Sequence, residues 1–365
     1  MPNEKAHGIH VAKTAEAFAL LGVDVTLLVP DRKGDTTSLK DYYGLQRDIQ
    51  VVRLPVMDFG NKGPIRYRIC ALSFILSYVW YLWRHASRTD SVVYTVDLDH
   101  FSFFGIPFTG LPFFSEIHGG KKNTFVQRFF FTRISGAIAT TSATQKELVS
   151  VFDLPQTKTV VEPNGVDIRD ESALSKKDAR KKLGIPDSTK LVLYVGRVLA
   201  WKGIDILPDV AKALPDVTIG FLGATREEYE HILSLPAGKV TFYGSVPHTD
   251  VPLWLEASDA CLVLGTPRDE YSYRYTSPMK IFEYLASERP LLASRTPAFT
   301  SALTEEDCYF FEPDSVSGVV KAIETMYSDT HRSTTMAQNG KHKAQKHTWT
   351  ARAKRILTFI ETHHS

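Results

Sequence analysis

Four short segments of the chain hold residues whose types and spacing could do chemistry. In the stretch from Leu191 to Gly203 an apolar run stops at Gly196, and Arg197 and Lys202 flank the turn that follows. A pyrophosphate carries about two negative charges and needs cations and N–H donors to replace its water. Arg offers a planar fork and Lys a point charge. In the stretch from Tyr275 to Ala286, Ser277 reads as an N-cap and Pro278 as the first helical residue, so the helix start presents its N–H groups to an anion. Lys280 and Glu283 are three positions apart and share a helix face. As a surface pair in that order they would contribute little. The functional reading has Glu283 accepting hydrogen bonds from the two hydroxyls of a ribose, as the ribose acid of dinucleotide-binding folds does.

The other two segments are weaker alone. Glu162 to Asp167 ends a strand with a turn at Asn164 and Gly165, which by itself is only a turn. Ser115 to Gly120 ends a strand in His118, and Gly119 and Gly120 then let a ligand approach the backbone. A lone His at a strand end is more often structural. The glycines, with Lys121 and Lys122 after them, shift the balance toward a site.

These segments need a frame that brings strand ends together. Short β-rich runs alternate with helical patterns throughout, the signature of α/β units around parallel sheets. The strand expectations in the first half are Val23–Val29, Ile49–Leu54, Ser91–Val96, Phe113–Ile117, Ala137–Thr141 and Thr159–Glu162; in the second they are Leu191–Val195, Val217–Leu222, Val240–Tyr243, Ala260–Leu264, Pro290–Ala293 and Tyr309–Phe311. The candidate residues fall at the ends of these runs, where parallel sheets bind ligands. A domain boundary is expected at Asp167, giving domains 1–167 and 168–345, with an amphipathic stretch in 346–365 that gathers Ile356, Leu357, Phe359 and Ile360 on one side. At the start, Val11, Ala15 and Phe18 line a helix that ends at Gly22 and leads into a strand. Such a helix normally crosses over from an earlier parallel strand, so a strand ahead of Met1 is expected.

The bulk composition bounds the partners. With 365 residues the chain has room for two cores, and 43% apolar with 23% charged residues is a soluble globular profile. A net charge of +2 implies no general attraction to nucleic acid. Cys70, Cys261 and Cys308 are too far apart to read as a metal knuckle or a disulfide framework. No signal peptide is legible at the start. The most apolar stretch, Ile69 to Trp83, is shorter than the roughly 20 residues that span a bilayer. Flanked by Arg66, Arg68, Arg84 and His85, it reads as a helix against a sheet or as an interfacial helix resting on a membrane.

Taken together, the segments resemble the retaining glycosyltransferases of family 4, in order and over nearly the whole chain. Pro2 to His10 is similar to the family's loop after its first strand, followed by its first helix and the strand from Asp24. Pro163 to Asp167 resembles its interdomain link, Gly196 and Arg197 with Lys202 and Gly203 its diphosphate clamp, Gly244 to Val246 its base-binding loop, and Ser277 to Glu283 its donor-binding helix.

The resemblance implies a GT-B fold, two facing Rossmann-like, doubly wound α/β domains with a last helix crossing back to the N-terminal one. It implies a hexose moved, with retention, from a UDP- or GDP-sugar to a glycan, lipid-linked or small acceptor. The enzyme would be cytoplasmic and could touch the inner face of a membrane. The donor is a substrate, and no cofactor or metal is expected. Arg197 and Lys202 would neutralise the leaving diphosphate and His118 would reach the transferred sugar. Gly8, Gly196, Val246, Thr276, Ser277, Pro278, Lys280 and Glu283 would contact the donor. Asp97 and Asp99 have the look of a metal-binding pair, but sugar transferases that use one resemble another fold, and a strand-end turn is the better reading. One departure stands out. Where the family carries a glutamate eight positions before the ribose one, this chain has Tyr275, in an aromatic, charged loop whose Asp269 or Glu270 could substitute. A nucleotide-sugar epimerase or hydrolase, and a non-catalytic binding subunit, are the alternatives.

Overall fold

The computed structural model describes residues 1, 6–32, 38–58, 63–96, 101–168, 174–276 and 279–364. They form two α/β units, Met1–Pro163 with Trp349–Ser365, and Asn164–Thr348. The strands are β1 Thr26–Asp31, β2 Gln50–Pro55, β3 Val93–Val96, β4 Phe113–Ile117, β5 Gly136–Ala139, β6 Thr159–Val161, β7 Leu191–Val195, β8 Thr218–Leu222, β9 Thr241–Phe242, β10 Ala260–Val263, β11 Leu291–Ser294 and β12 Tyr309–Phe311.

The second unit is a six-stranded parallel sheet in the order β12-β11-β10-β7-β8-β9. Strand alternation feeds two cores. Val192 and Tyr194 pack with Ile219, Phe221 and Leu262 on one face, while Leu193 packs with Leu222, Cys261 and Val263 on the other. A period of two sends successive side chains to opposite faces, so near-continuous apolar strands such as β7 need helices on both sides. The strand order reverses between β7 and β10, and open α/β sheets bind ligands beyond the strand ends at that point.

In the first unit the strands fall into two parallel ladders, β1-β2 and β3-β4-β5-β6. The helix Ala6–Leu20 leads into β1, and no strand precedes it among the described residues. All five positions of β4 are buried. The last helix, Trp349–His363, packs on this unit. Its Phe359 meets Phe114 edge to face, with ring centroids 6.1 Å apart. It also sits where any side chain at Gly136 would be, 2.7 Å from a built Cβ.

The unit boundary falls between Pro163 and Asn164, four residues ahead of the boundary expected after Asp167. Val166 N–H donates to the His347 carbonyl at 3.0 Å, and Val166 bridges Thr348, so this turn and the chain's return belong to the second unit. Arg352 Nε in turn donates to the Pro163 carbonyl at 2.7 Å, which ties Pro163 and the last helix to the first unit.

The apolar stretch lies in the 22-residue helix Pro64–His85. Cys70, Ala71, Ile75 and Tyr78 are buried. On another face Ile65, Leu72, Leu76, Trp80 and Trp83 are exposed, Leu76 at 71% and both tryptophans at 61%. Among the described residues no helix is long and apolar enough to cross a membrane.

Candidate active site

The phosphate-type residues gather at the carboxyl end of β7. Gly196 follows the strand with φ 148°, and its N–H donates to the Leu222 carbonyl at 2.8 Å. Beside it Gly223 has φ 116°, and a Cβ there would lie 2.7 Å from the Gly196 carbonyl oxygen. Only glycine allows that approach at that φ. The helix Met279–Ala286 docks on the same strand end. The Val195 N–H donates to the Tyr284 hydroxyl at 2.9 Å, and Lys280 Nζ donates to the Val195 carbonyl at 3.3 Å. Lys280 also sits 4.0 Å from the centroid of the Tyr194 ring. Its helix start, Ser277 and Pro278, lies outside the described residues.

The cations at this end of the sheet oppose one another. Burial, and then the neighbouring Arg197, lower the Lys202 amine to about 8. Burial, and then Lys202, pull Lys280 well below the usual lysine range, with Glu283 opposing. Among the described residues Arg197, Lys202 and Lys280 take part in no ion pair. An entering diphosphate would relieve the repulsion and the lost solvation together.

Glu283 is on this helix too, and its Oε1 is 2.9 Å from His248 Nε2. His248 follows the loop of Gly244 and Val246, with Val246 partly buried against the second unit's core. Sequence reasoning missed His248, since nothing in its spacing links it to Glu283, 35 positions on. Thr276 closes a π-helical turn, Tyr271–Tyr275, by donating from its N–H and its hydroxyl to the Tyr271 carbonyl, both at 2.9 Å. π-Turns often mark functional positions. Arg268 anchors this loop with bidentate bonds of 2.7 and 2.8 Å to Asp205 and further bonds to Asp314 at 3.0 and 3.1 Å. Asp269, one expected substitute for the missing glutamate, accepts from the Ser272 N–H at 2.8 Å. That bond gives one of its oxygens to the shape of the loop. Tyr271 meets Trp201 edge to face at 5.5 Å, and Lys202 Nζ lies 5.3 Å from the Trp201 ring centroid.

His118 and Gly8 belong to the first unit. Gly8 is buried in the first turn of the helix Ala6–Leu20 rather than in a loop ahead of it. His118 follows β4, and the chain after it is held by Glu147, which accepts from the Lys121 N–H at 2.8 Å. His118 meets a group that sequence reasoning passed over. Glu116, two positions earlier and fully buried, has its Oε1 2.6 Å from His118 Nε2 and 2.7 Å from an Arg352 guanidinium nitrogen. Its Oε2 accepts from the Tyr94 hydroxyl at 2.7 Å. His10 Nε2 lies 2.7 Å from Oε1 without hydrogen-bond alignment. Burial opposes the charge on Glu116, but Arg352 and the two histidines outweigh it and hold the carboxyl well below its usual range. Burial lowers His10 to about 4, so that ring is neutral near pH 7. His10, Glu116 and His118 are metal-ligand types within reach of one another. A cation there would face the Arg352 guanidinium on the same carboxylate oxygen, so the donor set fits an internal charge network better than a metal. The two-residue spacing of Glu116 and His118 at the end of β4 was the available signal; Arg352 lay more than 200 residues away. Asp97 and Asp99 lie outside the described residues, as do Pro2 to Lys5.

Residues 7–170 match the model of Glycosyltransferase Family 4, and residues 175–343 match that of Glycosyl transferases group 1. The chain is similar to a D-inositol 3-phosphate glycosyltransferase of Stackebrandtia nassauensis, 26% identical over 62% of this chain and 56% of the relative. It is also similar to the lipopolysaccharide core biosynthesis mannosyltransferase LpsB of Rhizobium meliloti, 26% identical over 62% of this chain and 65% of the relative. It thus spans somewhat more than half the length of these curated relatives. Among solved structures, Anabaena HepE in complex with UDP and glucose superposes with a TM-score of 0.75 at 17% identity, covering 99% of this chain and 97% of that one. A glycosyltransferase from Rickettsia africae gives a TM-score of 0.75 at 15% identity, over 99% and 96%.

Proposed function

The chain belongs to the family 4 glycosyltransferases of the GT-B type, and from that premise we propose that it moves a hexose, with retention, from a UDP- or GDP-sugar to a glycan, lipid-linked or small acceptor. The observation that carries the reading is the set of cations Arg197, Lys202 and Lys280, which have no ion-pair partner among the described residues, at the point where the second unit's strand order reverses. Breaking a glycosyl–phosphate bond puts negative charge on the leaving diphosphate and positive charge on the ring. Preorganised cations and N–H groups aimed at the leaving group are the largest stabiliser available to such a step. Lys202 and Arg197 neutralise the diphosphate, Lys280 and the Gly196 turn support it, and Glu283 takes the ribose diol. His118, on the first unit, serves the transferred sugar. In this reading the fixed cations do what a metal would, so transfer continues in excess chelator; loss of activity that Mg²⁺ restores would refute this part.

A lipid-linked acceptor and a peripheral seat on a membrane belong to the same reading. The exposed stripe of the helix Pro64–His85 carries Trp80 and Trp83 beside Arg84, whose guanidinium is 5.9 Å from the Trp80 ring centroid, and the helix has no acidic residue. Aromatic rings and arginines anchor amphipathic helices at anionic headgroups. Flotation with anionic vesicles, lost in a Trp80→Ala/Trp83→Ala variant, is expected; equal flotation of both chains would remove the helix from the account.

The experiment for the whole reading is a thermal-shift titration with UDP, GDP, ADP and their sugar conjugates, followed by a transfer assay. A ligand at 100 times its Kd stabilises by about 2.7 kcal/mol. A shift selective for one nucleotide, with acceptor-dependent release of nucleoside diphosphate, supports a transferase. Release without acceptor points to a hydrolase or epimerase, and binding without release to a non-catalytic subunit.

A further inference from the structure

We propose that Arg268 is a positioning residue of the donor site: by holding Asp205 and Asp314, two carboxylates beside the Lys202 turn, it keeps that lysine for the diphosphate. The inference rests on the reading of Lys202 as a diphosphate group.

Three loops of the second unit meet at the carboxyl edge of its sheet. The loop after β7 carries Lys202 at the end of a 3₁₀ turn, Ala200–Lys202, then Gly203 with φ 69°, then Asp205 in the next turn, Ile204–Ile206. The loop after β10 carries Thr266 and Arg268, and the loop after β12 carries Asp314. They pack closely. A Cβ at Gly203 would lie 3.1 Å from Asp314 Oδ1 and 3.2 Å from the Thr266 side chain. Asp314 therefore sits against the residue next to Lys202, and Asp205 is three positions beyond that lysine.

Carboxylates so placed would be partners for a buried ammonium, yet both are engaged by Arg268. Two of its guanidinium nitrogens donate to the two oxygens of Asp205 at 2.7 and 2.8 Å. Its Nε and one of those nitrogens donate to Asp314 at 3.0 and 3.1 Å. The planar fork is what lets one side chain serve two acids. Thr266, itself buried, donates from its hydroxyl to Asp314 Oδ2 at 2.7 Å and fixes that carboxylate further. The hydrogen bonds from Arg268 hold Asp205 below the usual carboxylate range. Burial and Arg197 lower Lys202, and among the described residues no carboxylate opposes them, whereas Glu283 does so for Lys280. The Arg268 side chain is 54% exposed, and ion pairs in such positions add little to stability. The clamp is therefore explained less by what it adds to the fold than by what it withholds from Lys202. With Arg268 the three charges sum to a single negative one; without it two stand beside the lysine.

The test uses the full chain and two readouts. In the free protein, an NMR titration of labelled lysine amines, with the Lys202 signal identified by its loss in Lys202→Ala, should show Arg268→Gln raising the pH at which Lys202 gives up its proton above about 8. Arg268→Lys, which keeps a charge at the position, should leave it nearer the wild-type value. An unmoved Lys202 in Arg268→Gln would overturn the proposal. Calorimetry with UDP and GDP supplies the second readout. Arg268→Gln should weaken the preferred nucleotide about tenfold, the equivalent of one pKa unit of competing charge. Adding Asp205→Asn and Asp314→Asn to Arg268→Gln should restore the affinity, because the competing charges are gone. A triple variant as weak as Arg268→Gln would show that the clamp only fastens the loops, and would overturn the proposal. Should Lys202→Ala bind as tightly as the wild type, the diphosphate role of Lys202 falls. The lysine titration would still decide whether Arg268 keeps the two carboxylates from it.

Discussion

The two units hold opposite kinds of charge cluster. At the end of β7, in the second unit, Arg197, Lys202 and Lys280 are crowded together without an ion-pair partner among the described residues, and both lysines are pushed below their ordinary range. Beside β4, in the first unit, Glu116 is also buried, yet a guanidinium, a hydroxyl and an imidazole satisfy it, and its charge is held. An uncompensated cluster is a site that awaits an ion, because binding restores what burial took away. A compensated cluster is already at rest and can only orient its neighbours. In the proposed reading the first cluster is the one that binds the leaving group, whereas the second is already satisfied by the chain's own residues.

The sharpest way to break the comparison is to remove compensation where it exists. Arg352→Met leaves Glu116 charged and unpaired in the core, and losing one partner of a buried pair typically costs about 3–5 kcal/mol. Denaturant unfolding should show a loss of that order; a variant as stable as the wild type would mean that Glu116 is not held as described. In the second unit the same kind of deletion should act on turnover instead. Lys202→Ala should lower turnover at least about a hundredfold, the scale of losing one charge-stabilising contact, with stability unchanged or raised, since an unfavourable buried charge goes with it. Unchanged turnover with donor bound would end its assigned role. A smaller effect sharpens the contrast further. Tyr94→Phe takes one of several donors from Glu116 and should cost about 1–3 kcal/mol in stability, read by the same denaturant curves.

Much of the frame was legible in the sequence, because strand alternation and glycine turns are local. Phe113–Ile117, Leu191–Val195 and Tyr309–Phe311 were expected with the bounds they have. The strand expected at Val23–Val29 begins later, at Thr26, because the helix before it ends in two extra turn residues, Leu21 and Gly22, and its N–H groups at Gly22 and Val23 still bond back to Ala19 and Phe18. The gathering of Gly196, Arg197 and Lys202 after β7 was legible because the glycine and the cations stand close together in the chain at one strand end. The Glu116 cluster was not, since its members come from residues 10, 94, 116, 118 and 352, and no spacing rule joins them. The partner of Glu283 was hidden for the same reason. Gly8 was misplaced because helix starts are set by capping contacts that a glycine near the chain's beginning does not reveal.

The most direct test of the central claim is calorimetric titration of the chain with UDP and GDP between pH 7 and 9, each in two buffers of different ionisation enthalpy. Free Lys202 loses its proton near pH 8, and a bound diphosphate favours the protonated amine. The sign follows from linkage: binding should take up protons, and affinity should fall as pH rises above about 8, by up to about tenfold per pH unit. Proton uptake with falling affinity is the expected result. Binding of the preferred nucleotide with no proton uptake and no pH dependence in this range would contradict the assignment of the uncompensated cations as the diphosphate site.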